Sequence, residues 1–170
     1  MLKQGKLFFL ASFLLIFCQL TGISQPNGTI RLESGGSVPF HINSLQKYNE
    51  GMVLNNWTRF SILIEDLDPA DSWRLEVLAS DPRMIGDFGR DLELDYISIT
   101  AVADNLEAES LNYFPINQLS DGPQTLATGQ GSGIFVVWIT YGIGTDSNNI
   151  LLEEFPDYYF VQIYFDIKSD

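Results

Sequence analysis

The chain predicts an all-β fold: an immunoglobulin-like two-sheet sandwich of about seven or eight antiparallel strands behind an N-terminal signal peptide. Three observations carry this. Apolar and polar residues alternate at period two through several segments, punctuated by Gly, Pro, Asn and Asp. No amphipathic helical stretch of about 10 residues or more occurs beyond the first 24 positions. The 170 residues are 45% hydrophobic and 13% aromatic, enough for a packed core and too much for wholesale disorder.

The first segment is an address. Lys3 and Lys6 precede an apolar run from Leu7 to Phe17, and small residues at Gly22 and Ser24 set a cleavage site before Gln25. The run is too short for a membrane-spanning helix, which needs about 20 residues. Cys18 follows Phe17 where a lipidation signal wants a small residue, so it belongs to the discarded segment 1–24. The remainder, 25–170, reads as one domain without cysteine, destined for secretion, the periplasm or the cell surface. No transmembrane helix is expected in it.

Strands then follow in order. Ile30 and Leu32 alternate with polar neighbours up to Ser34-Gly35-Gly36, and Val38 to Ile42 reads as a second short extended piece. Ser44 to Gly51 is polar, a turn or single helical turn. Trp57 to Glu65 places Phe60, Ile62 and Ile64 on one face. After the turn residues Asp66 to Asp71, Trp73, Leu75, Val77 and Ala79 share a face, so the two segments predict a β-hairpin. Ser80 to Asp91, with Pro82, Gly86 and Gly89, reads as loop. Leu92 to Val102 is extended, with a phase slip near Asp95 that suits a bulge.

Asp104 to Gly131 is irregular, holds a short strand at Gln124 to Thr128, and has the length of a connection between sheets. Ile134 to Tyr141 is apolar on both faces, as a central strand requires. Tyr158 to Ile167 alternates Tyr159, Val161, Ile163, Phe165 and Ile167 against Gln162, Tyr164 and Asp166.

Charge and chemistry narrow the function classes. A formal net charge of -13, from 22 Asp+Glu against 9 Lys+Arg, argues against nucleic acid as a partner and favours basic or cationic ones. His41 is the only histidine and falls in an extended piece, where a structural role is the expectation. No nucleophile elbow or phosphate-binding loop occurs; Gly129-Gln130-Gly131-Ser132-Gly133 precedes a strand rather than a helix and reads as a hinge or loop tip. No enzymatic activity is expected. No cofactor is expected, and calcium is the weak candidate: Asp66, Asp68 and Asp71 lie in one turn, Asp146, Asn148 and Asn149 in another, with hard oxygen ligands but neither with EF-hand spacing. Trp57, Trp73 and Trp138 would form a sugar platform if exposed, but their aliphatic neighbours favour a core position.

At Trp73-Arg74-Leu75 and near the C-terminus the chain resembles the WxL-type surface domain. Trp73 and Leu75 match its W-x-L tripeptide; Tyr159 and Ile163 match its closing strand, with Phe165 and Ile167 replacing that strand's Trp and Leu. Leu119 to Gly129, with Leu126 in it, is similar to the family's central loop, whereas the Pro after the closing strand is missing. The terminal strand is also similar to that of spore-coat-U-like and other pilin-like secreted modules. These resemblances imply a noncatalytic surface role: wall association in the first case, adhesion or fibre assembly in the second. The expected partners are a cell-envelope polymer, other surface proteins or further copies of the chain. A carbohydrate-binding module is the alternative, with glycoside hydrolysis by paired carboxylates behind it.

Overall fold

A computed structural model describes residues 27–145, 151, 154 and 157–169. The expected signal segment 1–24 with Cys18, and the turn residues Asp146, Asn148 and Asn149, lie outside these. Within them the fold is an all-β sandwich, and period-two burial builds it. In β3 (Ser72–Ala79) Trp73, Leu75, Val77 and Ala79 are buried while every second residue between them is half-exposed. The same holds for Phe60, Ile62 and Ile64 of β2 (Met52–Glu65), for Ile97, Ile99 and Ala101 of β6 (Ile97–Ala103), and for Phe135, Val137, Ile139 and Tyr141 of β9 (Gly133–Ile143).

With β1 (Asn27–Ser34), the strands β1-β2-β9-β6 form one sheet. A second, β11-β3-β8-β7, is built from β11 (Ile163–Ser169), β3, β8 (Gln124–Gln130) and β7 (Asn112–Tyr113). The two meet through rings: Phe60 of β2 stacks edge-on against Phe165 of β11 at 4.6 Å, and Trp73 of β3 lies 5.1 Å from Phe135 of β9. A small third sheet, β10-β4-β5, comprises β10 (Tyr159–Phe160), β4 (Arg83–Gly86) and β5 (Asp91–Glu93). Every pairing is antiparallel.

Several expectations need correction. β2 and β3 do not form a hairpin; β2 pairs with β1 and β9, β3 with β11 and β8, so residues 66–71 carry the chain from one sheet to the other. Alternation fixes which face is buried but leaves the partner open. Val38, Phe40 and Ile42 do pack on the core, yet no strand forms there. Side chains serve part of that loop's backbone instead: Thr58 Oγ1 donates to Gly35 O (2.7 Å), Trp57 Nε1 to Ser37 O (2.7 Å) and Lys47 Nζ to His41 O (2.8 Å).

The stretch read as loop from Ser80 to Asp91 contains β4 and the start of β5, and the phase slip at Asp95 is a 3-10 turn, Leu94–Tyr96, rather than a bulge. Short pieces of this kind raise the number of strands among the described residues to eleven. The polar segment after Ser44 is the helix α1 (Leu45–Glu50), with Ser44 Oγ accepting from Lys47 N–H at its start and Gly51 at φ 73° after it. β9 is central in its sheet, but Ile134 on its outer face is exposed, since among the described residues no layer covers it.

Candidate functional site

The turn offered for calcium is a structural corner. Asp68 O accepts from Asp71 N–H (3.0 Å), and Asp71 O accepts from Gly131 N–H (3.0 Å). Ser132 Oγ donates to Leu67 O (2.9 Å) and accepts from Leu67 N–H (2.8 Å). The 66–71 turn and the Gly-rich run 129–133 are therefore two halves of one place, where β2 passes into β3 and β8 passes into β9. Asp66, Asp68 and Asp71 are all exposed around it. Among the described residues no group of three or more His, Cys, Asp or Glu is placed to hold a metal ion.

The tryptophans divide. Trp73 is the fully buried ring, 0% exposed, as expected. Trp57 is 37% exposed and tied through its indole N–H to Ser37, which corrects the core expectation for it. Trp138 sits half-buried on the outer face of β9, its ring centroid 5.8 Å from the Arg59 guanidinium. Arg59 also pairs with Glu33 and with Asp104, the latter at 2.7 Å. That guanidinium, helped by a hydrogen bond from Trp138, holds the Asp104 carboxyl below the usual carboxylate range. His41 is exposed in a loop rather than placed in a strand.

The arrangement most suited to an interaction is the C-terminal edge. β11 pairs with β3 alone and β10 with β4 alone, so residues 158–169 run along one side of the molecule with a single strand neighbour among the described residues. The two ladders join across the break: Ser80 N–H donates to Gln162 O (2.8 Å) and Asp87 N–H to Tyr158 O (3.2 Å). Backbone groups of the even-numbered residues thus face β3 and β4, and those of Val161, Ile163 and Phe165 face the other way. Ile167 N–H is met by Asp166 Oδ1 (2.9 Å).

Side chains alternate in step with this. Tyr159, Val161, Ile163, Phe165 and Ile167 pack on the core but are only half-buried. Tyr158 (70% exposed), Phe160 (59%) and Tyr164 point outward, with Gln162 and Asp166 between and after them. Ile85, the cross-strand partner of Phe160, is exposed beside it, and Phe88 at the β4–β5 turn is 81% exposed.

The other edges differ. β6 is covered by a bridge from Ile99 to Ile116, β7 and β5 are two and three residues long, and β1, an edge strand paired with β2, carries Arg31 and Glu33 and no aromatic residue. The alternation of the terminal strand was legible in the sequence. Its aromatic outward face was missed in part, since Ile85 and Phe88 fell in a stretch read as loop.

These features define an acidic β-sandwich with an aromatic edge on its C-terminal side. No protein-family model matches the chain, and no curated protein matches it either. Among solved structures it is similar to a family 123 glycoside hydrolase from Clostridium perfringens, studied for the details of glycolipid glycan hydrolysis. The similarity covers 84% of this chain at 16% identity with a TM-score of 0.37, and this chain spans 25% of that protein's length.

Proposed function

We propose that this chain is an exported, noncatalytic surface module that works in adhesion, envelope association or the assembly of a surface structure, by pairing with a partner along its C-terminal edge. The observation that carries the reading is the edge itself: a run from Tyr158 to Ser169 that, among the described residues, pairs on one side only, with β4 and then β3, and has an outward aromatic face. Strand addition at such an edge supplies main-chain hydrogen bonds, and alternate side chains supply specificity. The residues behind the WxL-type resemblance lend it further support. Trp73 and Leu75 of β3 stand directly across from Ser169 and Ile167 of β11, so the two motifs are one patch of ladder. Export rests on the Lys3-to-Ser24 segment.

The test is binding of the purified mature protein to intact cells, wall material and envelope proteins of its own organism, with light scattering to follow assembly. Binding to one of these, or concentration-dependent polymers, is expected. A strict monomer that binds none of them contradicts the reading. A carbohydrate-binding module is the second reading, favoured by the partly exposed ring of Trp57. Glycan binding that disappears in Trp57→Ala or Trp138→Ala, with folding intact, would move the assignment there.

A further inference from the structure

The identity of the partner is written in the chemistry around the edge. Three rings, Tyr158, Phe160 and Tyr164, recur on its outward face, and two exposed carboxylates flank them: Asp87 stands across from Tyr158 and Asp91 across from Ile85. The cations of this face are held by acids: Arg74 by Glu76 (2.7 Å), Arg83 by Glu93 (2.8 Å) and Lys168 by Asp166 (2.6 Å). Arg90 sits on the β4–β5 turn between Asp87 and Asp91. A second copy of a chain with net charge -13 is repelled from such a surface, whereas a basic segment is drawn to it.

We propose that the edge formed by residues 158–168 takes up a lysine- or arginine-rich extended segment of a partner protein as an added strand. Its backbone bonds to the outward-facing groups of Val161, Ile163 and Phe165. Its basic side chains lie over Tyr158, Phe160 and Tyr164, alkyl stems on the rings and charges toward the flanking carboxylates. The added strand also runs beside Ile163 and Phe165, which face the core and are half-buried in the free chain, whereas Ile167 already packs against Gly28 of β1. This rests on the functional reading above and names its partner.

The probe is a capped nine-residue peptide of alternating lysine and valine, followed by fluorescence anisotropy against the mature protein, with an alternating glutamate and valine peptide beside it. A third peptide carries the lysine sequence with N-methyl groups along one edge. Expected are binding of the lysine peptide that weakens on adding salt, loss of binding on N-methylation, and amide shifts confined to 158–168. The double variant Phe160→Ala/Tyr164→Ala, exposed at both positions, should weaken binding about tenfold with unchanged melting.

Equal binding of the glutamate peptide, indifference to N-methylation, or self-association through this edge without peptide binding overturns the inference. A protein that binds cells or envelope material and yet ignores the lysine peptide sinks this inference alone and leaves the surface role standing.

Discussion

Replacing Trp73 asks the core a sharp question. The ring is fully buried between the sheets against Phe135, yet its Nε1–H meets no acceptor among the described residues. Trp73→Ala empties that volume and should cost about 3–5 kcal/mol, lowering the melting temperature by roughly 10–15 °C for a domain of this size. Trp73→Phe behaves differently. It keeps a ring against Phe135 and loses about 1 kcal/mol of apolar burial. It also removes a buried donor whose lack of a partner costs about 1–3 kcal/mol. The two terms oppose each other, so Trp73→Phe should fall within about 2 kcal/mol of the parent.

Gly129 supplies a cross-check. A Cβ there would stand 2.6 Å from Trp73 Cζ2 and 2.6 Å from Leu111 Cδ2, so Gly129→Ala should cost about 1–3 kcal/mol by overpacking, and less in the Trp73→Phe background. Urea unfolding followed by far-ultraviolet circular dichroism gives all four corners of the cycle. Trp73→Phe as damaging as Trp73→Ala, or Gly129→Ala equally damaging in both backgrounds, would refute the reasoning.

Two further outcomes follow from the same packing. Burial pushes the Tyr141 hydroxyl up to about 12, so its contribution is complete below its unfolded value near 10 and is lost as pH rises from there through 12. Stability should drop by about 2–3 kcal/mol over that window in urea titrations, and Tyr141→Phe should flatten the drop. Calcium or a chelator should leave the melting temperature of the protein unchanged, because hydrogen bonds from Ser132 and Gly131 already close the 66–71 corner; a rise with calcium in calorimetry contradicts that.

Which side of each strand faces the core was legible because burial of one face imposes period two: Trp73, Leu75, Val77 and Ala79 were assigned correctly from spacing alone. Pairing was not legible. The turn at Asp66 to Asp71 suits a hairpin and a sheet crossing equally, and the choice is made by β9 and β11, far away in sequence. β4 and β5 escaped notice because Pro82, Gly86 and Gly89 read as breakers, although Met84 and Leu92 are buried there.

The candidate site divides the same way. Faces of the terminal strand could be read from Tyr159 to Ile167, but that it is an edge is a property of topology. The exposure of Trp57 depends on an irregular register between Leu54 and Thr58 that no alternation announces.

Residue-resolved hydrogen exchange on the free protein tests the central claim most directly. An unpaired edge predicts a sawtooth along 161–166: fast exchange at Val161, Ile163 and Phe165, slow exchange at Gln162, Tyr164 and Asp166, whose backbone groups face the neighbouring strand. Uniformly slow exchange through the segment would mean that the edge is already covered, and the account would fall with it.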